Sequence, residues 1–276
     1  MASRSQNGGG PDDYAFYRYR VAADSGFRQI EVSLPYSEQA ATLKNTADSL
    51  GLTHTLINAP PVVALKLYIT CSRKLTFFTQ NYQAIWSPGF RGLAALPAFK
   101  EEFRDSVKTA IYYAKILKCD KIHVMAGIPG KNEAGVRELF LDNITYAATK
   151  MKEEGILCLI EPINHYTVPG YFLSLYEQAK RVIDEIKLPN LKIQYDLFHA
   201  QQICGQLSAT INKYKDFVVA QVPFRDEPCM PGEIDYNFIF QLLQSTNSDW
   251  VVGLEHNFHE SHGAPRDWVS KFGLAM

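Results

Sequence analysis

Three carboxylates in this chain stand where short apolar runs end. Glu161 follows Ile156-Leu-Cys-Leu-Ile160, Asp196 closes Leu191-Lys-Ile-Gln-Tyr195, and Glu255 follows Trp250-Val-Val-Gly-Leu254. One carboxylate at such a place is ordinarily a solvated cap. Three brought to one rim would repel one another, and a cation or shared protons must offset that repulsion. Clustered hard oxygens suit Mg²⁺ or Mn²⁺. Two carboxylates flanking a small substrate can also move a proton. One acts as base at a carbon and the other as acid at its neighbour, while a cation or a cationic side chain holds the enediolate charge.

Other side chains could join them. His199, three residues after Asp196, could lean over the same rim, or it could face water at a helix start. Arg225 could grip a substrate carboxylate with its planar guanidinium, or it could pair with Asp226 or Glu227 beside it. His256, His259 and His262, with Glu260 among them, share no helix or strand period and read as solvated loop residues. The chain has no glycine-rich phosphate loop, nucleophile elbow or catalytic-cysteine signature. Nucleotide binding and acyl transfer lose support accordingly.

The elements that must position these residues alternate. Candidate strands are Gln29–Leu34, His54–Asn58, Lys121–Ala126, Ile156–Pro162, Leu191–Asp196, Phe217–Val222 and Trp250–Glu255. Each is short and rich in Ile, Val, Leu or aromatics, as strands buried on both faces are. Between them lie helical patterns. Asp12–Ala23 precedes the first strand, and Ser37–Leu50 has Ser37 as its N-cap and Gly51 past its end. Ala98–Lys118 carries Phe103, Val107, Ile111, Ala114 and Leu117 or Ile116 on one face. Asn132–Glu154 ends at Gly155, and Ser174–Ile186 ends before Pro189. Strands separated by helices build a parallel sheet. In a parallel barrel, the strand C-termini and the loops after them form the active mouth.

The 276 residues fit one domain, an α/β fold of (β/α)8 TIM-barrel type, which typically takes about 250 residues. Seven strands are legible and the first of the eight is missing; a doubly wound sheet is the other arrangement they allow. Residues 1–11 read as disordered, and 62–91 as an irregular insertion after the third strand position, rich in aromatics but without a period. A formal charge of −1 gives no electrostatic reason to bind nucleic acid or an anionic membrane. Five scattered cysteines, Cys71, Cys119, Cys158, Cys204 and Cys229, argue against a disulfide framework or a structural zinc site. The N-terminal stretch lacks an apolar signal core, and no run approaches the roughly 20 apolar residues of a membrane span. A cytoplasmic address follows.

Ile160-Glu-Pro-Ile-Asn164 followed by Pro169-Gly-Tyr-Phe172 resembles the signature of the hydroxypyruvate isomerase family, which belongs to the xylose-isomerase-like barrels. So do Asp196-Leu-Phe-His199, Ala220-Gln-Val-Pro223 with Arg225, Gly232-Glu-Ile-Asp-Tyr236, Val252-Gly-Leu-Glu255 and Ile122-His-Val-Met-Ala-Gly127. The resemblance spans roughly residues 26–61 and 92–256. It implies an isomerase that interconverts hydroxypyruvate and tartronate semialdehyde through an enediol, with no organic cofactor. Glu161 and Glu255 would be its acid–base pair, and with Asp196 they would be three of four divalent-metal ligands. A catalytically impaired relative, or a sugar epimerase using the same carboxylates, stays open beside this reading. The chain departs from the family pattern at Val218, which stands where a glutamine ligand is expected. It departs again in lacking the first strand and in carrying the insertion. Gln221, out of phase with Val218 on a period-2 strand, is a poor substitute.

Overall fold

A computed structural model describes residues 13–60, 91–131, 133–211, 216–219, 222–246, 252–257 and 269–273. Its strands are β1 Gln29–Val32, β2 Thr53–Asn58, β3 Lys121–His123, β4 Leu157–Ile160, β5 Leu191–Asp196, β6 Asp216–Val219 and β7 Val252–Leu254. They form one sheet in the order β1 to β7, and every neighbouring pair is parallel. A doubly wound sheet would reverse direction at a switch point. The unbroken sequential order is that of a barrel.

The helices are α1 Asp13–Asp24, α2 Ala40–Ser49, α3 Lys100–Leu117, α4 Val136–Glu153, α5 Tyr176–Ile186, α6 Leu197–Ile203, α7 Leu207–Ile211 and α8 Tyr236–Thr246. In α3 the buried face is Phe103, Val107, Ala110, Ala114 and Leu117, with Ile111 and Ile116 only partly covered. Ser37 is not the cap of α2: it ends a 3-10 turn, Pro35–Ser37, and Gln39 takes the cap position without a side-chain hydrogen bond. The short helices α6 and α7 escape the sequence reading because each is too brief for a clear period, and α8, before the last strand, escapes it as well.

The strands are covered on both faces, but the faces differ in chemistry. On β5, Leu191, Ile193 and Tyr195 join the apolar core beneath the helices, while Gln194 and Asp196 alternate with them and are also buried. The same parity puts Ile122 in the core and His123 opposite to it on β3, and Cys158 and Ile160 in the core on β4 with Glu161 opposite. Successive side chains of a strand point to opposite faces. The barrel's inner row near its mouth is therefore polar.

Among the described residues no hydrogen-bonded ladder joins β7 back to β1. The two ends meet through side chains instead. A Cβ at Gly253 would lie 2.7 Å from Glu31 Oε1, so the carboxylate of β1 occupies the space that any larger residue on β7 would need. Gly92 makes a similar close approach, its Cβ position falling 2.2 Å from the Met125 carbonyl oxygen, where the chain returns to the end of β3. The segment 1–11, the insertion up to residue 90, Gln221, Cys71, His259, Glu260 and His262 lie outside the described residues. No helix among the described residues is long and apolar enough to cross a membrane.

Candidate active site

The strand-to-helix turns of β4 and β5 carry two of the three carboxylates. Glu161 follows β4 and is buried; Asp196 ends β5 with no exposed surface. Asp196 also caps α6, its Oδ1 accepting the Phe198 N–H at 2.8 Å, which fixes the carboxylate's orientation. Its Oδ2 lies 2.8 Å from Arg225 Nη2 and 3.6 Å from His199 Nε2. The third carboxylate, Glu255 after β7, meets the same Arg225 Nη2 through Oε1 at 2.9 Å. Half of its side chain remains open at the lip.

Arg225 belongs to the loop after β6 and holds a left-handed backbone, φ 56°. Asn257, just after β7, secures that loop. Its backbone N–H donates to Arg225 O at 2.7 Å and its Nδ2 donates to Phe224 O at 2.9 Å. The guanidinium stacks 4.7 Å from the centre of the Phe198 ring. One nitrogen, Nη2, serves both carboxylates, and Nη1 and Nε make no hydrogen bond with the described residues. The expected partners Asp226 and Glu227 are thus replaced in this role by the strand-end carboxylates.

His199 is buried inside α6 rather than facing water. Its Nδ1 lies 2.6 Å from Asn164 Nδ2, and the Asn164 N–H also points at it, at 3.4 Å. Asn164 Oδ1 is occupied by the Thr167 N–H at 2.8 Å, so the amide must present its NH₂ to the histidine. That network assigns Nδ1 as acceptor and puts the imidazole proton on Nε2, directed toward Asp196. His123, the last residue of β3, is a further polar group of this mouth, its Nε2 3.7 Å from Glu161 Oε2.

The charges set the proton affinities. Burial raises the Glu161 carboxyl well above the ordinary carboxylate range, Glu255, Asp196 and Glu31 add to it, and Arg225 pulls the other way. Glu255 is raised as well, by partial loss of solvent and by Asp196, against Arg225. Its half-open position keeps that loss incomplete. Burial works against the charge of Arg225, but Asp196, Glu255 and Glu161 outweigh it and hold the guanidinium ionised. Burial pushes both His199 and His123 down to about 4; Asp196 opposes the shift at His199, and His199 reinforces it at His123. Both imidazoles are neutral near pH 7.

Every residue singled out for chemistry in the sequence thus reaches one mouth: Glu161, Asp196, His199, Arg225 and Glu255. His256 is half-buried beside it, its Nδ1 3.2 Å from the Asn257 carbonyl oxygen. Sequence reasoning passed over His123 and Asn164 as site residues. Their signal was parity: His123 alternates with core Ile122, and Asn164 follows Glu161 by three residues in the same turn.

The donor set fits a hard divalent cation in part. Glu161 Oε1 is buried with no hydrogen-bond partner among the described residues, and Asp196 and Glu255 bring further oxygens. Glu161, Asp196 and His199 each offer a ligand atom within 4.8 Å of the others. His199 is the weak member, because Nε2 carries the proton and has no lone pair to give. Val218 pairs in register with Asp196 on one side and Gly253 on the other.

The sequence matches the family model described as xylose isomerase-like TIM barrel over residues 19–272. A Caenorhabditis elegans relative, provisionally named a hydroxypyruvate isomerase, is 47% identical over 245 residues, covering 87% of this chain and 85% of its own. The Escherichia coli hydroxypyruvate isomerase is 34% identical over 264 residues, 92% of each chain. Among solved structures, AP endonuclease, family 2 from Brucella melitensis superposes with a TM-score of 0.78 at 32% identity, covering 94% of this chain and 92% of that one. The chain belongs to the xylose isomerase-like TIM barrels and, within them, to the hydroxypyruvate isomerase family.

Proposed function

We propose that this protein is an isomerase of small α-hydroxy carbonyl acids, interconverting hydroxypyruvate and tartronate semialdehyde by a 1,2-proton shift. The observation that carries this reading is the joint contact of Arg225 with Asp196 and Glu255, beside Glu161, at one strand-end mouth. Glu161 and Glu255 are the acid–base pair. Glu161, raised well above the ordinary carboxylate range, takes the acid role, and Glu255, more open and paired with Arg225, takes the base role. As base, Glu255 takes a proton from C3 of hydroxypyruvate. The C–H pair forms the C2–C3 double bond and the carbonyl pair moves onto the C2 oxygen. The C3 hydroxyl passes its proton to that oxygen and becomes the aldehyde as the C2–C3 pair takes a proton from Glu161 at C2, and the proton gained by Glu255 returns to Glu161 through solvent. The free edge of Arg225, Nη1 and Nε, holds the substrate carboxylate, and His199 Nε2–H donates to the oxygen on which charge develops.

Glu161, Asp196 and Glu255 would hold a Mg²⁺ or Mn²⁺ ion, with no organic cofactor required. Such an ion supplies Lewis-acid stabilisation of the enediolate oxygens. The absence of a membrane-crossing helix among the described residues and the scattered cysteines support a cytoplasmic enzyme acting on a free small acid.

Proton NMR of purified protein with hydroxypyruvate in D₂O tests the reading. Wild type is expected to produce tartronate semialdehyde and to exchange the carbon-bound proton. Glu161→Gln and Glu255→Gln should each lose about 10²–10⁴ in turnover with the fold intact. Full activity in either variant rejects the pair, and exchange without conversion by wild type points to an epimerase on a longer substrate. Neither exchange nor conversion identifies a relative that has lost catalysis.

A further inference from the structure

The mouth contains a polar group that the proposed reaction has not used. His123 closes β3, in register with Asn58 on β2 and Leu159 on β4, and is 3% exposed. Its Nε2 is 3.7 Å from Glu161 Oε2, beyond hydrogen-bonding distance. Neither His123 Nε2 nor Glu161 Oε1 has a hydrogen-bond partner among the described residues. Buried polar atoms are normally satisfied, and each one left unsatisfied is costly. Two on adjacent strands, at the active end of the barrel, mark a place that a polar ligand atom fills. At this spacing a single oxygen can lie within hydrogen-bond distance of both side chains.

We propose that His123 contacts the substrate and determines its class, its Nε2 binding the hydroxyl oxygen on C3 of a three-carbon acid. The inference rests on the isomerase reading given above. The order of strands around the mouth makes the assignment. Arg225, on the loop between β6 and β7, offers the guanidinium edge that suits the carboxylate of C1. Glu161 on β4 and Asp196 on β5 lie between that loop and His123 on β3. A three-carbon chain anchored at Arg225 and crossing the two carboxylates therefore presents its far end to His123. A second substrate carboxylate at that far end would lose its water with only a neutral imidazole to pair it, and would carry that cost as a buried charge. A neutral hydroxyl would not.

Glycerate and lactate test this, because neither is isomerised and they differ only by the C3 hydroxyl. Calorimetric titration of wild type should show glycerate binding about tenfold more tightly, the worth of one hydrogen bond to a hydroxyl. His123→Phe, which keeps a planar ring and removes the polar nitrogen, should erase that preference while leaving lactate affinity within about twofold. His123→Gln should restore part of it. Equal affinity of wild type for the two acids, equal weakening of both in His123→Phe, or a preserved preference in that variant would each overturn the assignment. A wild type that converts hydroxypyruvate while the preference ignores His123 overturns the role of His123 alone. A wild type that prefers glycerate through His123 but converts nothing overturns the isomerase reading alone.

Discussion

His54 and His199 are two histidines in nearly the same physical state at opposite ends of the barrel's strands. Both are almost fully buried and both are held near a pKa of about 4, in each case chiefly by burial. Each has one ring nitrogen engaged: His54 Nε2 by Tyr19 Oη at 2.7 Å, His199 Nδ1 by Asn164 Nδ2 at 2.6 Å. His54 even keeps an unsatisfied buried nitrogen, Nδ1. The difference is position. His54 is the second residue of β2, at the end of the barrel that serves stability, whereas His199 follows β5 at the end that carries chemistry. Burial and a depressed pKa therefore do not set these two histidines apart; the strand end and the carboxylate beside His199 do.

The largest effects should come from the carboxylate rim, and Glu161→Gln separates function from stability there. A buried carboxyl whose folded pKa is raised loses stability as pH rises above its unfolded value, near 4.5, until the folded group ionises. Thermal melts of Glu161→Gln should therefore show a higher Tm than wild type at pH 7 and little difference at pH 4, in the same protein that has lost turnover. A lower Tm at pH 7 would mean that the carboxylate is satisfied by a bound group and contributes to the fold.

The two histidines come next. His199→Phe should lower kcat by about 10²–10³, the usual cost of one donor to a developing oxyanion, while His54→Phe should leave kcat within about twofold. In stability the two should behave alike. A histidine whose folded pKa is depressed from 6.5 to about 4 contributes stability that is complete above pH 6.5 and lost as pH falls toward 4. Each is worth up to about 3 kcal/mol over that window. Either Phe variant should flatten the acid side of a Tm-against-pH curve by a similar amount. Equal losses of kcat in both variants would break the comparison.

The rim was legible in the sequence because chemistry and period coincide there. An apolar run that stops at a carboxylate marks a strand's end, and Glu161, Asp196 and Glu255 each carry that mark. Arg225 was legible as a residue but not as a partner: the sequence offers it Asp226 and Glu227, and only the fold shows Asp196 and Glu255 closer at hand. The polar inner row was harder to read. Strands with buried polar residues on one face look, in a one-dimensional hydrophobic scan, like strands buried uniformly. His123 was passed over for that reason, and so was the alternation of Gln194 and Asp196 with Ile193 and Tyr195. Boundaries failed where local turn geometry overrides composition, as at Ser37, whose hydroxyl suits a cap but whose backbone closes a 3-10 turn.

Val218 extends the comparison to the far side of the rim. It pairs in register with Asp196 and Gly253, and on that ground Val218→Gln should raise Mn²⁺ affinity about tenfold, measured by titration calorimetry without substrate. Asp196→Asn should lower it. Tight binding by wild type that Val218→Gln leaves unchanged would show that position 218 does not face the carboxylates.

The smallest effect is expected at the seam, where Gly253 of β7 lies against Glu31 of β1. Position 253 leads directly to Glu255, so the seam and the rim share a strand, yet the residue at 253 is constrained by space and not by chemistry. A methyl group there would stand 2.7 Å from Glu31 Oε1, an impossible approach unless Glu31 moves. The atom in the way is the far end of a flexible side chain, so the cost should be the low end of overpacking, about 1 kcal/mol. For a chain of this size that is a fall in Tm of about 2–4 °C. Because Glu31 also helps raise the proton affinity of Glu161, its displacement should shift the acidic limb of the kcat profile slightly while leaving kcat at its optimum within about twofold. Gly253→Ala with Glu31→Ala in one chain should recover the lost Tm, since the methyl then meets no carboxylate. If the double variant melts no higher than Gly253→Ala alone, the two ends of the sheet do not meet through Glu31, and the barrel's closure must depend on other contacts.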